Sequence, residues 1–255
     1  MKIAWTNRAD SASITVDSEK AGLPGSNVQQ AHVSRQWHTA AGVKSAYAIF
    51  DLGSSLACDL AALLGTNLTS SGTVQIRASD ADSTVTSSLL RDTGVVACGA
   101  KSGYGQVYKS FTTATARYWR IDIADSTVPD NLQVGRVFLG PSWTPTYGQL
   151  YGWSVTAAEE SKVSKSYGGQ AYPDERPQAR VLAFELDFMT EAEAYGNVLV
   201  MARAQGLVRD VLAIPDISGS YLPEQAVWGL CRASEPLVHR LSQIYRQKFT
   251  IEERL

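Results

Sequence analysis

Alternating apolar and polar positions dominate the first 140 residues of the chain. Residues 73–79 carry apolar side chains at every second position, and residues 116–123 repeat this pattern. Residues 46–52 are apolar on both faces, which is typical of a strand in the middle of a sandwich. A further strand is expected at 132–139, and turn clusters rich in Gly, Ser, Asn and Asp separate the strands. The pattern predicts an all-β first half.

The segment that follows, Gly140 to Pro145, marks a domain boundary. It holds two prolines and a glycine within six residues, and proline cannot donate to a sheet ladder. We therefore predict two domains, residues 1–140 and 150–255, joined by a linker over 141–149. A chain of 255 residues is long enough for two domains of this size to bury separate cores.

The second half begins with predicted hairpins and continues with longer strands. The hairpins lie between Trp153 and Tyr172, where the Gly168-Gly169 pair suits a turn that needs positive φ. The strongest strand pattern is residues 180–188, in which every even position from Leu182 to Phe188 is apolar. Further strands are expected at 209–214, 226–233 and 243–252. The last of them alternates and is rich in polar residues, so we expect its edge to pair with a neighbouring copy.

One helix is predicted in the second half, over about residues 190–206. Thr190 and Glu193 have the spacing of a capping box, in which a hydroxyl and a carboxylate satisfy amides of the first turn. Gly206 fits the position that follows the last turn. The side chains expected on one face of the helix are Tyr195, Val198, Leu199 and Ala202. The second domain is therefore predicted to be a β-sandwich that carries one α-helix.

Composition and charge narrow the function classes. Hydrophobic residues make up 44% of the chain, which indicates a globular protein. Lys and Arg total 23 against 25 Asp and Glu, a net charge of −2. Such a balance gives no electrostatic basis for nucleic acid as the main partner.

The N-terminal sequence and the cysteines predict where the protein is made and kept, namely in a reducing compartment. The N-terminus becomes polar too early for the core of a signal peptide, and no apolar run reaches membrane-spanning length. We expect synthesis in the cytoplasm without classical export, and no membrane insertion. Cys58, Cys98 and Cys231 are far apart and lie among apolar neighbours, so we expect buried free thiols.

The chain matches catalytic and metal-binding motifs poorly. The histidines His32, His38 and His239 have neither a nucleophile in a recognisable elbow nor a third ligand at metal-site spacing. Gly94–Ser102 resembles a phosphate-binding loop, but Ala100 separates Gly99 from the lysine that should follow it. We therefore expect no enzyme activity, no cofactor and no metal.

Residues 80–83 resemble the start of a calcium loop. The EF-hand pattern needs Gly at the sixth position and Glu at the twelfth, where Val85 and Arg91 stand. We interpret the segment as a surface turn, with a calcium site of another type as the alternative.

Aromatic side chains in the first half are candidates for stacking on sugar rings. The candidates for a carbohydrate site are Trp37, His38, Tyr104 and Tyr108, and Tyr118 lies beside the same loops. In the alternative interpretation Trp37 belongs to the core and the tyrosines cover sheet edges.

The order of features in the first half resembles a known family. The features are Trp37, the Asp51-Leu52-Gly53 strand, Leu64–Asn67, Val74–Asp80, the Ala116–Ile121 strand and Val134–Gly140. In this order they resemble a discoidin (coagulation factor 5/8 type C) domain over residues 1–140. The resemblance implies a galactose-binding-like jelly roll that binds glycans or lipids through loops at one end. Those loops are the least family-like part of the chain, so no binding residue is carried over.

The second half resembles the minor tail or distal tail (tail-hub) proteins of long-tailed phages. The resemblance lies in 180–188, the capped helix, 211–216, 227–230 and the ending 249–255. It implies a virion protein that packs as a homo-oligomeric ring, often a hexamer, and contacts tail-tube and tail-tip proteins.

Three functions follow from these patterns. The first is a structural component of a phage tail, joining tube to tip and with a host-surface glycan as a further partner. The second is a carbohydrate-binding module in host recognition. The third, a hydrolase, is disfavoured because no paired carboxylates or nucleophile–base pair can be placed.

Overall fold

The computed structural model describes residues 1–232 and 235–254. Its strands are β1 (Lys2–Ala4), β2 (Ser13–Val16), β3 (Trp37–His38), β4 (Ser45–Leu64), β5 (Thr73–Ser79), β6 (Leu89–Asp92), β7 (Val96–Ala97), β8 (Gln106–Ala124), β9 (Gln133–Val134), β10 (Arg136–Gly140), β11 (Ser154–Ala158), β12 (Lys162–Lys165), β13 (Ala171–Asp174), β14 (Ala179–Met189), β15 (Asp210–Ile214), β16 (Val227–Cys231), β17 (Val238–Leu241) and β18 (Ile244–Glu253). Its helices are α1 (Glu191–Glu193), α2 (Leu199–Gln205) and α3 (Leu222–Gln225), with 3₁₀ turns at Arg8–Ser11 and Gly25–Gln29. The mainly-β prediction is confirmed. No helix in the described part of the chain is long and apolar enough to cross a membrane.

The chain forms two compact units that are not consecutive in sequence. The jelly-roll unit comprises Thr6–Ser142 and Ser218–Glu224. The host unit comprises Met1–Trp5, Trp143–Ile217 and the chain from Gln225 onward. The predicted first domain, residues 1–140, therefore differs from the jelly-roll unit at its start, and the predicted linker 141–149 belongs mostly to the host unit.

Two long strands organise the jelly-roll unit. β4 and β8 pair antiparallel from Ser45↔Ala124 to Leu64↔Gln106, with register shifts after Asp51 and after Cys58. β10 pairs with the second half of β4, and β2 pairs with its first half. β5 pairs with β8, and β6 and β7 both pair with β5. One curled seven-stranded sheet thus surrounds the core.

The shift after Asp51 explains why β4 is longer than its predicted 46–52. Gly53 follows with φ of +75°, and Leu56 resumes the pairing with Ala116. A bulge of this kind bends a strand without ending it. The Gly-Ser-Ser sequence, which is typical of a turn, therefore lies within the strand.

Inward-facing positions of these strands fill one hydrophobic core. Trp119 and Phe50 are fully buried, and Val74, Ile76 and Ala78 of β5 are buried as their alternation predicts. Cys58 and Cys98 are buried free thiols, whereas Cys231 in the host unit is half-buried. Burial raises the pKa of the Cys58 thiol to about 12, which keeps it in the unreactive protonated form.

The host unit is built on one antiparallel sheet in the order β1-β15-β16-β18-β14-β11, with β17 paired to β18. The N-terminal strand β1 joins this sheet through Lys2↔Ile214. Its other side is covered by Trp143, which exchanges two backbone hydrogen bonds with Ile3 (2.8 and 2.7 Å). β1, which was predicted to belong to the first domain, and Trp143, which was predicted to lie in the linker, therefore both belong to the host unit.

β18 does not expose an edge, which corrects the prediction that it pairs with a neighbouring copy. It lies between β14 on one side and β16 and β17 on the other. The predicted strand 226–233 is observed as β16, and its last predicted residue, Ala233, lies outside the described residues, as does Leu255.

The alternation of β14 breaks at Phe188, which was predicted to face inward with Leu182. A register shift occurs between Leu186 and Met189, and Phe188 has φ of +58°. The extra residue turns the Phe188 ring outward, where it is 45% exposed, and brings Met189 into the core at 2%. A β-bulge reverses the inside–outside pattern in this way.

The predicted capping box is confirmed, but the helix changes its period. The Thr190 hydroxyl accepts from the Glu193 backbone N–H, and the Glu193 carboxylate accepts from the Thr190 N–H. A π-helical turn, Ala194–Val198, separates α1 from α2. A π turn inserts about one residue per turn, so Ala194, Val198 and Met201 are buried whereas Tyr195 is half exposed.

A separate hairpin, β12–β13, extends between β11 and β14. It matches the hairpin predicted with Gly168-Gly169, and Gly169 has the positive φ (+86°) that this turn requires. Every residue from 162 to 178 is exposed. We call residues 159–178 the arm.

Candidate binding groove in the jelly-roll unit

The structure removes Trp37 from the candidate carbohydrate site. Trp37 lies on β3 and is only 2% exposed, and its indole N–H donates to the Ser18 carbonyl at 2.9 Å. A ring packed in the core offers no face to a ligand. The alternative interpretation, that Trp37 is a core residue, is the one that the structure supports.

Tyr108 and His38 are also poorly placed for stacking. Tyr108 is 3% exposed, and its hydroxyl donates to the side-chain oxygen of Gln106. His38 is half-buried on β3 and contacts Gln36 through Nε2 (3.2 Å). Burial, assisted by the charge of Lys20, lowers its pKa. Of the four predicted residues only Tyr104 keeps a substantial exposed surface, 38%.

Tyr104 lines a groove of about 650 Å³ between two loops of the jelly-roll unit. One wall is residues 66–70 and the other is residues 100–105. Glu224, at the end of the Ser218–Glu224 segment, completes the lining. The exposed Tyr104 ring therefore stands in a concave site bordered by hydroxyl groups and main chain.

The first wall is held by a buried carboxylate, Asp125. Its Oδ2 accepts from the Thr69 backbone N–H (2.7 Å) and from the Thr69 hydroxyl (2.8 Å). Its Oδ1 accepts from the N–H and the hydroxyl of Thr127 (2.9 and 2.6 Å). Burial acts to raise the pKa of Asp125, but these hydrogen bonds outweigh it and hold the pKa below its ordinary value. The wall is thus fixed by a charged acceptor.

The two walls are tied directly to one another. The Thr66 N–H donates to the Gly105 carbonyl at 2.8 Å, and a Cβ on Gly105 would lie 2.9 Å from the Thr66 oxygen. Gly105 also has φ of +55°, so both the backbone conformation and the close Thr66 oxygen disfavour a side chain at this position. The Cys98 thiol donates a hydrogen bond to the Thr69 carbonyl oxygen (3.1 Å). The groove is therefore preformed.

An ion pair lines one part of the groove. Lys101 Nζ lies 2.5 Å from Glu224 Oε1 and 4.2 Å from the centre of the Tyr221 ring. The lysine is one-third exposed, and Glu224 is 23% exposed. Since an ammonium carries three donors, Lys101 can offer a further N–H to a ligand oxygen.

Sequence reasoning missed Lys101, Ser102 and Glu224. The turn composition of residues 101–105 was visible, but a turn alone does not indicate a ligand site. Glu224 is more than 100 positions away in sequence, and only the fold brings it to Lys101. Ser70 and Ser102 add hydroxyl groups to the walls.

The Asp82 loop is the surface turn that the sequence indicated. The Asp82 carboxylate accepts from the backbone N–H groups and hydroxyls of Thr84, Thr86 and Ser87. These bonds, led by that from the Thr84 hydroxyl, lower its pKa strongly. Across the described residues, no group of three or more His, Cys, Asp or Glu is placed to hold a metal ion.

Comparison with known proteins yields similar solved structures only. No protein-family model matches the chain, and no curated protein matches it. Chitosan-binding module 1 from a chitosanase/glucanase of Paenibacillus sp. IK-5 is 22% identical, with a TM-score of 0.43, and the match covers 52% of this chain and 98% of that one. A fucose-binding module of Streptococcus pneumoniae is 15% identical, with a TM-score of 0.42, over 53% of this chain and 95% of that one.

A third similar structure is the lectin domain of Lectinolysin in complex with Lewis B antigen. It is 15% identical, with a TM-score of 0.42, and the match covers 54% of this chain and 98% of that one. They are described as a chitosan-binding module, a fucose-binding module and a lectin domain, and none of the three descriptions names a phage protein. They give no support to the tail-protein resemblance of the second half.

Proposed function

We propose that the jelly-roll unit is a non-enzymatic carbohydrate-binding module and that the groove beside Tyr104 is its ligand site. The observation that carries the proposal is the combination of a preformed polar groove with an exposed aromatic ring. A sugar ring presents hydroxyl groups around its edge and C–H groups on its faces. Such a ligand needs polar groups for its hydroxyls and an apolar surface for its C–H faces. Ligand sites generally combine an apolar contact with a few placed polar groups in this way.

The chemistry of the walls fits hydroxyl groups. Ser70 and Ser102 can each donate and accept, as a sugar hydroxyl does. Lys101 supplies a charge-assisted donor, which is stronger than a neutral one. Because Glu224 balances its charge, the groove has no excess charge that would require an ionic ligand.

The rigidity of the groove favours binding. Asp125 fixes one wall, and the Thr66–Gly105 contact fixes its distance from the other. A site that is ordered before the ligand arrives avoids the entropic cost of ordering loops on binding.

A glycan array with purified protein tests the proposal. Tyr104→Ala should weaken binding to the ligand found by about tenfold or more, since an aromatic contact contributes on the order of 1 kcal/mol beyond area burial. Tyr118→Ala is the matched control, because Tyr118 is half-buried beside Arg117 (4.8 Å) and does not line the groove. Absence of binding on a broad array, or equal losses in both folded variants, would remove the proposal.

A second candidate function is a self-associating structural component, as in a phage tail, and the exposed arm favours it. An isolated two-stranded hairpin is marginally stable in water, so an extended one usually packs against something. Assembly into a ring, six copies in that ring, location in a virion and contacts with tail-tube and tail-tip proteins belong to this proposal. Light scattering and negative-stain imaging test it: a strict monomer at high concentration, with no labelled protein on tails, counts against it.

A further inference from the structure

A second exposed aromatic ring, that of Tyr221, stands at the border of the groove. It belongs to the Ser218–Glu224 segment, which is part of the jelly-roll unit although the rest of that unit lies in the first half of the chain. The Tyr221 side chain is 63% exposed, compared with 38% for Tyr104. A tyrosine ring offers an apolar face to a ligand and a hydroxyl group at its edge. Tyr221 therefore has the chemistry that singled out Tyr104.

Lys101 connects the two tyrosines. Its Nζ lies 4.2 Å from the centre of the Tyr221 ring. Lys101 and Tyr104 are the ends of one turn, in which the Tyr104 backbone N–H donates to the Lys101 carbonyl at 3.2 Å. One turn and one lysine side chain thus span the distance between the rings. Both rings are near enough to contact neighbouring units of one ligand.

Glu224 holds the segment that carries Tyr221 at the groove. Its Oε1 lies 2.5 Å from Lys101 Nζ, and its backbone N–H donates to the Tyr221 carbonyl at 3.2 Å. Glu224 and Lys101 both line the groove. Because Tyr221 contacts both residues, its ring continues the groove beyond the ion pair.

The Glu224 carboxylate also has an oxygen to offer to a ligand. Its Oε2 is buried and has no hydrogen-bond partner among the residues that the structure describes. A buried acceptor without a donor is unfavourable, so a ligand hydroxyl that donates to it would be bound favourably. Lys101 keeps further N–H donors for a neighbouring hydroxyl. The ion pair thus presents a donor and an acceptor side by side, which matches two adjacent hydroxyl groups of a sugar ring.

We propose that Tyr221, Lys101 and Glu224 form a second sugar subsite beside that of Tyr104, so that the module binds a chain of at least two linked sugar units. This proposal rests on the carbohydrate-binding function proposed above. Each subsite supplies one aromatic ring for the C–H face of a sugar, and the ion pair binds adjacent hydroxyl groups of the second unit. Since the charges of the pair balance, the ligand class is a neutral oligosaccharide.

Two linked subsites make a specific demand on chain length. Once one sugar unit occupies the Tyr104 subsite, the linked unit is held close to the second subsite and binds there at a high effective concentration. The affinity should therefore increase from the single sugar to its short oligomers. An aromatic contact alone accounts for about a fivefold increase.

Titration calorimetry on the full chain tests the second subsite. The probes are glucose, mannose, galactose and N-acetylglucosamine, each as the free sugar and as its short homo-oligomers. In the series that binds, Tyr221→Ala should lower the affinity for oligomers about fivefold and leave that for the free sugar unchanged. Tyr104→Ala should lower both. Tyr221→Phe is the matched control: it keeps the ring and its contact with Lys101, so it should retain most of the oligomer affinity.

The dependence on chain length separates a binding role of Tyr221 from a structural one. Equal losses for free sugar and oligomer in Tyr221→Ala would show that the ring only supports the groove, and would overturn the second subsite. A wild-type affinity that is the same for all chain lengths would also overturn it and leave the Tyr104 subsite intact. Silence of all four series would overturn the proposal, and the glycan array then decides separately whether the carbohydrate-binding function stands.

Discussion

Glu193 joins the capped helix of the host unit to a second chain segment, so its substitution should affect both. Glu193 is only 9% exposed, and both oxygens of its carboxylate accept hydrogen bonds. Oε1 accepts from the N–H and hydroxyl of Thr146, both at 2.8 Å, and Oε2 accepts from the Thr190 N–H at 3.0 Å. One side chain thus caps the helix and fixes the segment around Thr146.

Glu193→Ala should lower the stability of the host unit by about 3 kcal/mol. Hydrogen bonds to a charged group contribute roughly 1.5–3 kcal/mol each, and losses within one network do not add fully. Glu193→Gln should cost less, on the order of 2 kcal/mol, because one oxygen remains while the amide nitrogen faces a donor. Glu191→Gln is the control: this exposed carboxylate interacts mainly with the helix dipole, a contribution of about 0.3–1 kcal/mol.

Hydrogen exchange in increasing urea measures these losses on the helix peptides, with β8 peptides as an internal reference for the other unit. Local measurement is needed because a protein of two units has no single free energy of unfolding. Equal effects of the Glu193 and Glu191 variants would refute the assigned hydrogen-bond network.

The same carboxylate gives the host unit a defined dependence on pH. Burial acts to raise the pKa of Glu193, but the hydrogen bonds from Thr146 and Thr190 outweigh it and lower the pKa below its ordinary 4.5. A group whose pKa is lower in the folded state stabilises that state above its unfolded pKa. This contribution should be present above pH 4.5 and disappear as the pH falls through the folded pKa, and Glu193→Gln should abolish that part of the acid sensitivity.

Three further substitutions have outcomes that the structure specifies. Gly196→Ala, where a Cβ meets nothing within 4 Å, should stabilise the helix by about 0.5–1 kcal/mol in thermal unfolding; a loss would show that this turn needs glycine. Gly229→Ala would place a Cβ 1.7 Å from the Glu252 carbonyl oxygen and should cost about 2–3 kcal/mol, and wild-type stability would contradict that close approach. Asp125→Ala should cost about 2–3 kcal/mol and raise hydrogen exchange in residues 66–72, whereas unchanged exchange there would show that the wall is held otherwise.

Regular local patterns predicted much of the fold. The alternation at 73–79 predicted β5 with the bounds that are observed, and the capping box correctly predicted where the helix begins. Both depend on residues close in sequence. Phe188 and the π turn at Ala194–Val198 departed from the pattern because each adds a residue to a repeat. Period-based reasoning cannot locate such an insertion, since the residues on either side of it remain regular.

The groove was less predictable than the fold. An aromatic residue beside a glycine-rich turn singled out Tyr104, but the same reasoning also chose Trp37 and Tyr108, which the core buries. Apolar rings serve a core and a sugar equally well, so sequence gives no basis for choosing between these roles. Glu224 joins Lys101 only through a long-range contact.

The position of β1 has a consequence for biosynthesis. β1 leaves the ribosome before its partner β15, which follows roughly 210 residues later; at 5–20 residues per second this is a delay of about 10–40 s. The continuous stretch Thr6–Ser142 emerges complete during that interval and can fold while the first strand is still waiting. Removal of residues 1–5 should therefore spare the jelly-roll unit and destabilise the host unit, which loses the strand that pairs with β15.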